Sequence, residues 1–184
     1  MAGVDERRRL SAVAPRRARG SGMAAFDYRQ AQEIRAALAR HGVRYLFIGK
    51  SGAILLGFPD TTQDADLFVD RTPANARALA AALIELGFAL TPDQATDIER
   101  GKDFVQLKNG PFDLDLVFAP DGIEHFEAAW TRRIEVEGFP VCHIDDIIAS
   151  KAAANRVRDR ESLPRLRAFR EYWEAKRKGG LQTD

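Results

Sequence analysis

The sequence predicts an α/β fold, and three observations predict it. Short apolar runs of strand character recur along the chain: VRYLFI from Val43, ADLFV from Ala65 and FDLDLVF from Phe112. Between them lie stretches with apolar residues at helical spacing and recognisable capping residues. The chain then closes on a charged segment that places Leu166, Phe169 and Trp173 on one helical face, so the C-terminal end is helical.

Taken in order, Asp27 caps a helix over Tyr28–Arg40, with Ile34, Ala37 and Leu38 at helical spacing and Gly42 ending it. Val43, Tyr45, Leu46, Phe47 and Ile48 read as a buried strand. A Gly49-Lys50-Ser51-Gly52 turn follows, then a short apolar helix, Ala53–Phe58, broken by Pro59-Asp60. The second strand is Ala65–Val69. Thr72-Pro73 opens a helix as N-cap and first-turn proline, and Gly87 stops it. Phe88–Leu90 is a candidate short strand, and the polar residues 91–101 read as a loop over the active-site side. Asp103–Lys108 and Phe112–Phe118 are strands joined by Asn109-Gly110. Asp121–Trp130 reads as a short helix. Arg133–Val136 and Phe139–His143 form a hairpin turned at Gly138, with Pro140 pointing to an edge position. Asp145 is expected to cap a helix, DDIIASKAAANRVRD, with Lys151, Asn155 and Arg158 on one polar stripe. Ser162 or Leu163-Pro164 starts the last helix, Arg165–Lys178.

The chemistry concentrates on Asp64 and Asp66. Side chains two apart on a strand share a face and lie roughly 6–7 Å apart. Two carboxylates that close repel unless a cation lies between them, and a hard divalent ion is the usual occupant. A D-x-D pair by itself is common. Here it follows a strand and a Gly-x-Ser turn at a fixed gap.

The string hydrophobic-Gly49-Lys50-Ser51-x(12)-Asp64-x-Asp66 resembles the signature of the polymerase-β-like nucleotidyltransferase superfamily. The resemblance implies a small mixed sheet of that type, the D-x-D strand beside a third-carboxylate strand, and helices packed mainly on one face. It implies that Gly49, Lys50 and Ser51 meet the triphosphate of an NTP at a helix N-terminus, while Asp64 and Asp66 hold Mg²⁺, or alternatively Mn²⁺. Lys50 departs from the usual Gly-Gly or Gly-Ser turn. It is either a cation beside the phosphates or a solvated side chain. The spacing of a P-loop is absent. A third carboxylate on an apolar strand belongs to the same pattern; Asp115 matches it best, with Asp113 as the alternative.

A charged helical stripe is ordinarily a solvated face. The block around Lys151, however, resembles the second conserved block of AbiE/MenT-type nucleotidyltransferase toxins. That resemblance implies a triphosphate contact for Lys151 and a supporting role for Asp159, which holds the neighbouring basic residues. It also implies a toxin of a toxin–antitoxin pair acting on the 3′ end of tRNA, with a cognate antitoxin as partner. A partner protein or a small molecule as acceptor, and an inactive partner-binding member of the fold, are the alternatives. The resemblance spans about residues 43–160.

Composition sets the frame. The chain of 184 residues suits one domain over 23–184, preceded by a disordered basic arm over 1–22. That arm is a candidate nucleic-acid contact, and Met23, after which periodicity begins, is an alternative start. No apolar run is long enough to cross a membrane, and a single cysteine, Cys142, fits a reducing, cytoplasmic setting and reads as a small buried hydrophobe. The net charge of +1 is uneven: residues 23–150 carry −8, and residues 151–178 carry +6. An acidic body with a basic end suits a phosphate-bearing partner, RNA among them.

Overall fold

A computed structural model describes residues 25–180, so the basic arm expected over 1–22 lies outside the described residues. The elements in order are α1 (Tyr28–Arg40), β1 (Tyr45–Phe47), α2 (Gly49–Leu55), β2 (Ala65–Val69), α3 (Pro73–Leu86), α4 (Pro92–Glu99) and β3 (Phe104–Leu107). They continue as β4 (Leu114–Val117), α5 (Phe126–Arg132), β5 (Ile134–Val136), β6 (Phe139–Val141), α6 (Ile144–Ala154) and α7 (Val157–Gly179). The strands form one mixed sheet in the order β3-β4-β2-β1-β6-β5. β2 runs parallel to β4, and β1 parallel to β6; the other neighbours are antiparallel. The D-x-D strand thus lies beside the third-carboxylate strand, in a sheet flanked by helices and followed by a long C-terminal helix.

Period-two alternation gives the two faces of this sheet opposite characters. Tyr45, Phe47, Leu67, Leu114, Leu116, Val105 and Leu107 share one face, and all are buried. The start of α1 seals it, with Tyr28 edge-on to Phe139 and Phe139 in turn against Phe47. α3 packs on α1, and α4 packs on α3 and β3. The opposite face carries Asp66, Phe68 and Asp115. Phe126 of α5 covers Phe68 there, and the carboxylates are left facing a cavity.

Several local expectations are revised. Residues 91–101 are not a loop: Thr91 caps α4 and Gln94 completes a capping box, the same Thr-Pro opening that starts α3. Phe88–Leu90 forms no strand, and Phe88 packs against Phe112 instead. α2 begins at Gly49, four residues earlier than expected, so the turn is itself the first turn of the helix. α5 starts at Phe126, capped by His125. Pro140 lies on an internal strand, which is tolerated because β1 meets β6 only one residue later, at Phe47↔Val141.

The largest revision concerns the C-terminal block. His143, not Asp145, caps α6, and α6 ends at Asn155 in the left-handed region with φ 49°. α7 begins at Val157 and contains Pro164. Lys151, Asn155 and Arg158 therefore do not form one helical stripe. The break turns the chain so that α7 packs back on α6, and the two basic segments meet at the cavity from different elements. Cys142 is free and fully buried, as expected of a small hydrophobe.

Candidate active site

The first helix turn and the second strand are fastened to each other by Ser51. Its hydroxyl accepts the backbone N–H of Asp66 at 2.9 Å and donates to the Ile48 carbonyl at 3.1 Å. Ser51 is fully buried and lies behind the cavity. Its hydroxyl is therefore occupied within the protein, and the polar group left to it in the first turn of α2 is its backbone N–H. Gly49 stands beside it with φ +62°, and a Cβ there would lie 2.7 Å from Asp66 Oδ2. Only glycine combines that conformation with that proximity.

Asp66 and Asp115 are register partners on adjacent parallel strands, so their side chains leave the same face together. Asp64, two residues earlier, lines the same cavity. Asp113 is half-exposed and does not line it. Burial and the neighbouring Asp115 push the Asp66 carboxyl up to about 7, with Lys151 opposing the shift. Burial also raises Asp115, against a hydrogen bond of 3.1 Å donated by the Gln106 amide to its Oδ1.

The cations come from the other side. Lys50 lies 3.5 Å from Asp60, and Lys151 projects from α6 into the cavity. Burial lowers the Lys151 ammonium, while Asp159 and Asp66 support its charge. Asp159 is fully buried and does not line the cavity. It accepts from Arg156 Nε at 2.7 Å, from the Arg156 backbone N–H at 3.2 Å and from Lys151 Nζ at 3.5 Å. One buried carboxylate thereby ties the end of α6 to the start of α7. Arg156 and Arg158 complete the basic wall.

The result is a cavity of about 480 Å³, within the range of small-molecule sites. Of the residues singled out in the sequence, Gly49, Lys50, Asp64, Asp66, Asp115 and Lys151 line it, while Ser51 and Asp159 stand behind and position those that do. Sequence reasoning missed Phe104, Gln106 and Asp121. In Phe104-Val105-Gln106-Leu107 the first two residues are both apolar, so alternation alone does not tell which faces the cavity; the pairing Gln106↔Asp115 does.

Among the described residues, no group of three or more His, Cys, Asp or Glu side chains is arranged as a metal cage. The donor chemistry nevertheless fits a hard divalent ion. Asp64, Asp66 and Asp115 border one cavity, and the Asp66 carboxyl, raised by burial and then by Asp115, has a negative neighbour whose charge a cation would offset.

No family model matches the chain, and no curated protein matches it. Among solved structures, it is similar to the lincosamide antibiotic adenylyltransferase LnuA in its lincomycin-bound form. The TM-score is 0.57 at 13% identity, covering 78% of this chain and 98% of that one. The two chains share a fold. Among the described residues, no helix is long and apolar enough to cross a membrane.

Proposed function

We propose that the chain transfers a nucleotidyl group from an NTP to an acceptor hydroxyl with the help of a divalent metal ion. The observation that carries the reading is the in-register pair Asp66↔Asp115, joined by Asp64 on one cavity that also holds Gly49, Lys50 and Lys151. Negative and positive walls facing each other suit a metal–triphosphate substrate.

In this reading Lys50, Lys151 and the first-turn N–H groups of α2 bind the β- and γ-phosphates. Asp64, Asp66 and Asp115 would hold Mg²⁺, which when bound neutralises charge on the phosphates. Asp115 orients the acceptor hydroxyl and takes its proton. The acceptor oxygen forms a bond to the α-phosphorus as the bond to the β-phosphate oxygen breaks, and pyrophosphate leaves with the electron pair. Asp159 holds Lys151 and Arg156 toward the phosphates.

The acceptor is the finer question. The tRNA 3′ end and a toxin role follow from the resemblance of the Lys151 block, and the excess of cations after residue 150 favours RNA. Several of those cations are engaged within the protein, Lys151 and Arg156 with Asp159 among them. Arg165 bonds Asp60 and the Pro59 carbonyl, and Arg170 pairs with Asp145 and Glu174. A small-molecule acceptor draws support from the neighbour named for a lincosamide antibiotic.

The test is incubation with each α-phosphate-labelled NTP and Mg²⁺, followed by release of pyrophosphate and recovery of label on an acceptor. Asp66→Ala should abolish transfer while the protein stays folded. Transfer by that variant at the wild-type rate would end the reading.

A further inference from the structure

The cavity has a second end, across the sheet from Lys50 and Lys151. Sheet order defines the axis: Lys50 follows β1 and Lys151 follows β6, both on one side of β2, whereas β4 and then β3 lie on the other. β3 is an edge strand whose burial alternates, leaving Phe104 and Gln106 outward and Val105 and Leu107 inward. Phe104 is 48% exposed, an uncommon position for a large aromatic ring, and it pairs in register with Val117 on the carboxylate-bearing face. Both line the cavity, together with Ala119 and Pro120 of the loop after β4. The charged lining residues from this part of the chain are Asp103, Asp115 and Asp121; none is Lys or Arg. Asp103 is bonded to Arg71 at 2.5 Å, and Asp121 makes no ion pair among the described residues.

Direction of attack connects this end to the chemistry. Phosphoryl transfer places the entering and leaving oxygens roughly in line. With pyrophosphate leaving toward Lys50 and Lys151, the acceptor hydroxyl enters from the β4–β3 side. That side offers an aromatic and aliphatic floor with Asp115 and Asp121 at its rim, Asp103 being paired with Arg71, so it welcomes an apolar face and disfavours a phosphodiester backbone. We propose that Phe104, Val117, Ala119 and Pro120 form the acceptor subsite, and that it takes a small hydroxyl compound free of phosphate, with an apolar or ring face and neutral or positive charge. This rests on the nucleotidyl-transfer reading above. It commits that reading to a small-molecule acceptor over RNA or protein.

Two measurements decide it. First, α-phosphate-labelled NTP and Mg²⁺ are added with the full-length protein to a cell extract, which is then separated into RNA, protein and dialysable small molecules. Label is expected in an organic small-molecule product. Label on RNA or on protein overturns the proposal, as does absence of transfer by a protein that binds NTP. Failure to bind NTP at all removes the underlying reading instead. Second, the acceptor recovered from that product is titrated against variants. Phe104→Ala should raise its KM about tenfold, the effect of losing one good apolar contact, with the Kd for NTP unchanged and with Phe104→Tyr close to wild type. If Phe104→Ala weakens NTP binding but not binding of inorganic tripolyphosphate, the ring stacks on the nucleobase and the acceptor assignment is overturned. An unchanged KM overturns it as well.

Discussion

Asp66 shows at the scale of one residue how a carboxylate of the candidate site is held against the stability of the fold. Its carboxyl is raised to about 7, first by burial and then by Asp115. Below the ordinary carboxylate range the folded and unfolded chains are both protonated there. Between about pH 4 and pH 7 the unfolded chain has released the proton and the folded one retains it, so stability falls as pH rises through that window and levels off above it. Metal-free protein should therefore melt at a lower temperature at pH 8 than at pH 5, and Asp66→Asn should flatten that difference. Thermal melts in EDTA at both pH values test this; a more stable wild type at pH 8 would contradict it. Each 1 kcal/mol regained corresponds to about 2–4 °C in a domain of this size. Asp159 is the opposite case, a buried carboxylate held low by Arg156 and Lys151 against the cost of burial. Asp159→Asn should cost about 1.5–3 kcal/mol through weakened charge-assisted bonds and lower the affinity for NTP, because Lys151 and Arg156 lose their anchor. Denaturant melts and NTP titration read the two effects separately.

At the scale of elements, the join between α2 and β2 is the part most sensitive to small changes. Gly49→Ala places a methyl group against the Asp66 carboxylate in a left-handed conformation. The expected cost is about 1–3 kcal/mol of backbone strain, with displacement of Asp66 and loss of transfer. Ser51→Ala leaves the Asp66 N–H without its partner in a buried place, again about 1–3 kcal/mol. Its effect on transfer should exceed its effect on NTP binding, since the serine hydroxyl positions Asp66 and is turned away from the cavity. A Ser51→Ala variant that loses NTP affinity with an intact kcat would instead place the hydroxyl on the phosphates. The α6–α7 junction works in a related way. Asn155 in the left-handed region ends one helix, and Asp159 fastens the start of the next, so cations from two helices reach one wall.

Over the whole molecule, the apolar face of the sheet is sealed by α1, α3 and α4 while the opposite face keeps its carboxylates for the cavity. The basic C-terminal helix is in part a structural clasp: Arg165 reaches Asp60 and lies over Phe58, and Arg170 reaches Asp145. Arg165→Ala and Arg170→Ala should each lower stability by up to about 1 kcal/mol, the worth of exposed ion pairs, and leave the transfer rate near wild type; a large fall in rate at unchanged stability would assign them to substrate docking. The sequence by itself determined most element types and the strand that carries Asp66, because strand alternation and caps are local properties of the chain. The preference for Asp115 over Asp113 and the link between Lys151 and Asp159 rested on family resemblance, since Asp113 and Asp115 share one strand face. Only tertiary structure decided that Ser51 faces inward, that α6 and α7 are separate, and that Phe104 and Gln106 border the carboxylates. Those outcomes depend on cross-strand register and on which atoms meet from distant segments, and neither is encoded in the spacing of residues within one segment.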